Sequence, residues 1–380
     1  FWWLHEPSRA FAVTFAVLAV SCPCALALAT PAALAAAAGA LARRGVVLAR
    51  SDALEALAGV THMVLDKTGT LTEGRIRLAG CATADGRARV DVIALAAAVE
   101  ARSEHPLARA LVAAAAGGPR VDAEDIRQAS GEGVSARVAG VEVRVGRPAF
   151  VAALAGAMPA ALADFARGRP DTLVGLGDAH GWHAVFAFAD TLRPGARALV
   201  AQLHALRVTP LVLSGDRPES VAVVATALGI ADARGALLPE DKRAAIAALQ
   251  ARGARVAMAG DGINDAPALA QAHVSLALGS GAPLAQWTAD LVLLSDRIEL
   301  VAEALVAARR TFAVIRENLA WAIVYNGLAI PAAAFGFVTP LLAAAGMSGS
   351  SLAVVANALR LTRAPKTASA PAGAKAAPES

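Results

Sequence analysis

Asp66-Lys67-Thr68-Gly69-Thr70-Leu71-Thr72 is the stretch whose reading decides the fold. It stands directly behind the apolar run Met63-Val64-Leu65, which reads as a buried strand ending on a carboxylate. Gly69 and three threonines then make a turn rich in hydroxyls and closely approaching backbone N–H groups. Such a turn offers oriented donors to a phosphate, and one residue able to bond covalently to phosphorus completes the chemistry. Asp66 is the candidate nucleophile. Working outward, the same arrangement recurs twice. An apolar run at 210–213 ends on Ser214-Gly215-Asp216, and one at 254–258 leads to Gly260-Asp261-Gly262-Ile263-Asn264-Asp265. Three short strands thus each deliver polar residues at their C-terminal ends, the edge where doubly wound sheets bind ligands. Helices are predicted over 194–206, from Pro218 and from Pro239, with proline at a favoured first-turn site. The alternation of strands and helices implies a parallel sheet.

The heptapeptide resembles the phosphorylation motif of P-type ATPases, members of the haloacid-dehalogenase superfamily. Phosphatases of that superfamily place a second aspartate two residues after the nucleophile, where this chain has Thr68. A hydroxyl of very high pKa is a poor proton shuttle near neutrality. An acyl phosphate on Asp66 is therefore expected to persist, which suits a pump better than a phosphatase.

At 380 residues the chain has room for two or three domains, and at 57% hydrophobic it is too apolar for an ordinary soluble protein. No charged residue occurs over 10–42 or 318–359. Each run exceeds the ~20 apolar residues that span a bilayer. Gly336-Phe337-Val338-Thr339-Pro340 divides the second, so three transmembrane helices are predicted. Arg43, Arg44 and Arg50 follow the first span, Arg309, Arg310 and Arg316 precede the second, and Arg360, Arg363 and Lys366 follow the third. By the positive-inside rule these flanks, and the large middle segment with them, face the cytoplasm of a multi-pass inner-membrane protein. The net charge of +4 reflects this bias, and no nucleic-acid stripe is visible. The three cysteines argue against a disulfide framework. The chain begins Phe-Trp-Trp and reads as the C-terminal part of something longer.

Within the first span lies Ser21-Cys22-Pro23-Cys24. Proline removes a helical donor and frees a carbonyl, tolerated at membrane depth where backbone lines a cavity. Two thiols flank that break, and thiolates select Cu(I), zinc and similar soft ions. An amphipathic stalk is expected over 43–60. An insertion over 80–186 is expected to carry a helix at 90–116 and strands near 134–138, 141–145 and 173–176. The organisation reads as first span and stalk (1–50), phosphorylation domain (51–79 and 187–300), inserted α+β nucleotide-binding domain (80–186), stalk with two spans (301–363) and a disordered tail (364–380).

Cys-Pro-Cys narrows the resemblance to heavy-metal P-type ATPases, and that resemblance implies roles position by position. Asp66, with Lys67 beside it, carries the phosphoryl group. Asp261, Asp66, Asp265 and the Thr68 carbonyl surround Mg²⁺, an ion that prefers oxygen ligands. Thr68 and Ser214 donate hydroxyls to phosphate within Ser214-Gly215-Asp216, and Lys242 places an ammonium on the phosphoryl group. In Ser103-Glu104-His105-Pro106-Leu107, His105 orients the adenine of ATP, with Glu100 and the Gly131-Glu132-Gly133 turn beside it. His62, His180, His183, His204 and His273 read as structural. Tyr325-Asn326, and Met347 with Ser351, complete with Cys22 and Cys24 the pattern of copper(I) pumps, Ag⁺ being the kindred soft ion. No membrane lysine or aspartate is present of the kind that zinc and cadmium pumps carry.

The resemblance also implies a Cu⁺ donor, either a metallochaperone or a small thiol, besides membrane lipid. It implies a missing N-terminal half bearing the Thr-Gly-Glu actuator loop. The function expected is ATP-driven copper(I) export through an aspartyl phosphate. The rivals are a Zn²⁺/Cd²⁺ pump of the same family and a membrane-tethered phosphohydrolase.

Overall fold

In the computed structural model, residues 1–363 are described except 51, 85, 130, 170, 261–264 and 280–288. Asp261, Asn264 and the tail therefore lie outside the described residues. A seven-stranded sheet forms the centre, in the spatial order Val46–Leu48, Leu291–Leu293, Val274–Leu278, Val256–Gly260, His62–Leu65, Thr209–Leu213, Asp232–Arg234. Every pairing is parallel except that of Val46–Leu48 with its neighbour. The three strands that carry the polar termini are adjacent, with His62–Leu65 in the middle. Their inner residues Met63, Val64, Leu65, Val212, Leu213 and Met258 are buried, as expected of a sheet covered on both faces.

A second, six-stranded antiparallel sheet runs from Thr72–Thr83 to Gly181–Leu192 at one edge and on to Glu124–Ala129 at the other. Its outer strands reach beyond the 80–186 read from the sequence. Strands at Gly133–Val138, Val141–Gly146 and Thr172–Asp178 match the three expected. The helix expected over 90–116 is instead two, Arg89–Val99 and Pro106–Ala114. The break falls on 100–105, where Pro106 restarts the helix and the His105 ring nitrogen accepts from the Leu107 N–H at 3.2 Å.

The expected stalk over 43–60 is also interrupted. After the helix Cys24–Ala42 the chain turns at Gly45, adds Val46–Leu48 to the sheet edge, and forms the short helix Ala53–Ala58. Gly45, at φ 85°, is what permits that reversal. The stalk role passes to Leu300–Ala334, a single helix of 35 residues. A turn at 335–339 leads to Pro340–Leu359. Among the described residues, two stretches are long and apolar enough to cross a membrane, Pro7–Ala42 and Pro340–Thr362. The first of them is broken at residues 21–23. The apolar end of the stalk helix packs against both, through Ala322 with Ala25, Ala29 and Val354 and through Ala333 with Ala16, Val20 and Ala343.

One buried cluster runs without interruption from Ala33, Ala37 and Leu41 through Leu300, Leu305 and Ala308 to Leu65 and Val212 of the sheet. Arg309 reinforces it. Its guanidinium donates to the carbonyls of Leu206 at 2.6 Å, Val60 at 3.1 Å and Ala58 at 3.3 Å. Arg309→Ala leaves those carbonyls without their charged donor. The expected loss is about 2–3 kcal/mol of unfolding free energy, measured by chemical denaturation followed by circular dichroism, with Arg309→Lys recovering part of it.

Candidate functional site

Asp66 ends the middle strand, its N–H bonded to Ala259 O at 3.1 Å in the ladder. The next residues leave the sheet in a tight loop in which Gly69 adopts φ 74°, a conformation that favours glycine. Lys242, from the helix Pro239–Ala251, reaches over this edge. Its Nζ lies 2.6 Å from Asp66 Oδ1 and 2.7 Å from Asp265 Oδ1, and all three side chains are buried. Burial alone would push the Lys242 ammonium down, but the two carboxylates outweigh it and hold its pKa above the ordinary lysine value. The charged form is therefore firmly held.

The neighbouring strand end supplies a second cluster. Asp216 Oδ2 receives the Lys67 ammonium at 2.8 Å, the Thr68 hydroxyl at 2.7 Å and the Ser214 hydroxyl at 3.3 Å. Burial acts to raise the Asp216 carboxyl, yet these donors prevail and keep it below the usual range. Thr68, Ser214, Gly215 and Asp216 thus share with Asp66, Asp265 and Lys242 a cleft of about 710 Å³. Asp66, Asp265 and the Thr68 loop form an oxygen-rich donor set that suits a hard divalent cation. Among the described residues no three acidic, histidine or cysteine side chains gather as a metal site. Asp261 follows directly on the strand Val256–Gly260, next to Asp66's own strand.

Arg193, to which the sequence reading gave no role, holds the loop from behind. Buried, it donates to Gly69 O at 2.6 Å and Thr70 O at 3.1 Å. Three residues earlier, Asp190 accepts from the Arg75 N–H at 3.1 Å and from the Thr72 hydroxyl. These contacts span more than a hundred residues of sequence, and the only local signal was the pair of charges just ahead of Pro194.

Glu100, Ser103, His105, Gly131 and Gly133 come together around a cavity of about 330 Å³ on the second sheet. Glu132 of the same turn lines it, as do Gln128 and Arg147, which were not singled out in the sequence. Glu100 is buried, its Oε2 without a hydrogen-bond partner, and burial raises its pKa despite a bond from Ser103. Such a group is primed to meet a polar ligand. The two glycines have different reasons. Gly131 takes φ 74° with open space where a Cβ would point, whereas Gly133 lies against the backbone of Val145 and Gly146. A third cavity, bordered by Thr68, Asp216, Asp190, Pro106 and Thr172, has Thr172 in common with the Glu100 cavity and Thr68 and Asp216 in common with the cleft at Asp66.

The membrane half departs from expectation at one point. Cys22 and Cys24 are joined as a disulfide, leaving Cys81 as the free cysteine. Pro23 stops the helix and turns the two sulfurs onto each other. A disulfide offers no thiolate, so metal binding here requires the reduced pair. Tyr325 approaches Gly346, the neighbour of Met347, across the two helices. Asn326 and Ser351 are partly buried nearby on the same pair of helices, while Ser350 accepts from the Trp321 indole at 3.1 Å.

A model of haloacid dehalogenase-like hydrolases matches residues 60–273. The chain belongs to this family. Among curated relatives of this hydrolase, the copper-exporting P-type ATPase of Mycobacterium tuberculosis is 43% identical over 364 residues, covering 94% of this chain and 47% of the relative. The nitrogen fixation protein FixI of Bradyrhizobium diazoefficiens is 43% identical, covering 91% and 46% respectively. The chain therefore spans about half the length of the curated relatives it matches. A zinc-transporting PIB-type ATPase in its E2·Pi state superposes with a TM-score of 0.85 at 37% identity, over 90% of this chain and 57% of that one. The catalytic domain of the CPx-ATPase CopB-B superposes with a TM-score of 0.57 at 27% identity, over 70% and 98%.

Lys242→Met removes the ammonium between Asp66 and Asp265. At neutral pH we expect a loss of about 3–5 kcal/mol. In the parent, the raised Lys242 pKa adds stability that is fully present below the unfolded value of about 10.4 and lost as pH rises through the folded one. Denaturant melts across pH read both arms.

Proposed function

We propose that this chain carries the phosphorylation, nucleotide-binding and metal-gate parts of an ATP-driven copper(I) exporter. The observation that carries the reading is the intervening cavity, which shares Thr172 with the Glu100–His105 pocket and Thr68 and Asp216 with the cleft at Asp66. ATP lies along it with adenine between Glu100 and His105 and the γ-phosphate at Asp66. A carboxylate oxygen of Asp66 attacks the γ-phosphorus in line. The bond to the β–γ bridging oxygen breaks with its electron pair, and ADP departs. Lys242, Thr68 and Ser214 place donors on the phosphoryl oxygens, an electrostatic role of the kind that dominates phosphoryl transfer. Asp66, Asp265 and Asp261 would hold Mg²⁺, which supplies charge neutralisation on the phosphates. Thr68 stands where phosphatases place a second aspartate, and its hydroxyl of very high pKa is a poor acid or base, which leaves the acyl phosphate long-lived.

The reading extends to the membrane. The arginine flanks put both sheets in the cytoplasm, with three spans in the inner membrane. Reduced Cys22 and Cys24 take Cu⁺ with Tyr325, Asn326, Met347 and Ser351 along the path, Ag⁺ fitting the same soft donors. A metallochaperone or small thiol delivers the ion. The zinc-transporting structure shares the fold, but the choice of metal follows the donors, and no lysine or aspartate stands between 318 and 359 here.

In the full-length protein, γ-labelled ATP is expected to leave a hydroxylamine-labile label that Asp66→Asn abolishes; an unchanged label in that variant overturns the assignment. Glu100→Ala and His105→Ala are each expected to weaken ATP binding about tenfold while phosphorylation at saturating ATP persists. For the metal, labelling and flux respond to Cu⁺ under reducing conditions and vanish in Cys22→Ser.

A further inference from the structure

A cavity of about 130 Å³ opens where the two long apolar stretches end, at Ala42 and Thr362. It lies between the Cys24–Ala42 helix, the stalk helix and the turn Arg360–Thr362. Arg43, Arg44, Arg310 and Arg363 line it together with the buried apolar side chains of Leu41 and Leu361.

Two of the four charges are already engaged. Arg44 pairs with Glu303 at 2.7 Å, and Arg310 donates to the carbonyls of Arg360 and Arg363 at 3.1 and 3.3 Å. The latter contact matters because helix carbonyl ends repel an anion, and Arg310 covers two such carbonyls. The side chains of Arg43 and Arg363 are exposed and have no ion-pair partner among the described residues. Two unpaired, weakly hydrated forks in a cavity with apolar lining match an amphipathic anion. The guanidiniums fit the non-bridging oxygens of a phosphodiester, and Leu41 and Leu361 fit its glycerol and upper acyl carbons. A basic pocket between spanning helices on the cytoplasmic side is where anionic headgroups are held.

We infer that this cavity binds the headgroup phosphate of an anionic phospholipid from the cytoplasmic leaflet. The inference rests on the membrane placement proposed above and not on the transport reaction, so lipid binding rather than ATP turnover is the readout. The full-length protein in phosphatidylcholine nanodiscs with a minor fraction of phosphatidylglycerol is released into the gas phase, and retained lipid is counted by native mass spectrometry. Phosphatidylglycerol should be retained about tenfold over phosphatidylcholine. The double variant Arg43→Gln/Arg363→Gln should lose that preference and Arg43→Lys/Arg363→Lys keep most of it. Arg316→Gln, an equal loss of charge at an exposed stalk position outside the cavity, should leave it unchanged. Equal retention by the Arg43→Gln/Arg363→Gln protein, or equal loss in Arg316→Gln, overturns the site. Displacement of the lipid by inorganic phosphate at matched concentration would make it a free-anion site instead. Should the double variant fail to fold, photoactivatable phosphatidylglycerol on the parent decides. Label at Leu41 and Leu361 supports the site, and label confined elsewhere refutes it.

Discussion

A single ammonium buried between two carboxylates organises the edge of the seven-stranded sheet. Lys242 stands within 2.7 Å of Asp66 and Asp265, which come from two neighbouring parts of the sheet edge. Burying three charges is costly unless each is matched, and matching fixes their relative positions. The helix Pro239–Ala251 must dock where its first turn overhangs the strand His62–Leu65, and the chain after Val256–Gly260 must return to that same point. The second cluster, around Asp216, ties the third strand end to the Lys67–Thr68 loop. Chemistry and architecture therefore use the same bonds.

Coupling to the membrane helices follows from continuity of packing. Leu41, Leu305 and Leu65 belong to one buried cluster that extends from the apolar helices into the sheet. Arg309 adds three carbonyl contacts from segments otherwise far apart in sequence. A close-packed interior has little room to deform gradually, so a shift at the sheet edge is passed to the stalk helix as a rigid displacement.

What could be read in advance followed physical locality. The strands His62–Leu65, Thr209–Leu213 and Val256–Gly260 announce themselves through short apolar runs followed by polar residues in the sequence, and they lie side by side. The nucleotide motif was visible as residue types, yet its helix break was not, because the alanine-rich flanks of 100–105 carry no stop signal until Pro106. Val46–Leu48 looked like stalk because three residues cannot display a period, and its partner is more than two hundred residues away. Arg193 escaped notice for the same reason: its value lies in carbonyls of a distant loop. The Cys22–Cys24 bond depends on how Pro23 bends the chain, which composition does not specify.

The stalk helix has a mechanical consequence. Its 35 unbroken residues make a rod of about 50 Å. Clamped at Arg309 by the sheet, such a rod converts angle into distance: a swing of about 5° moves its tip at Ala334, about 38 Å beyond, by about 3 Å. A small change of angle at the sheet is thus magnified where the helix meets Ala16, Val20 and Ala343.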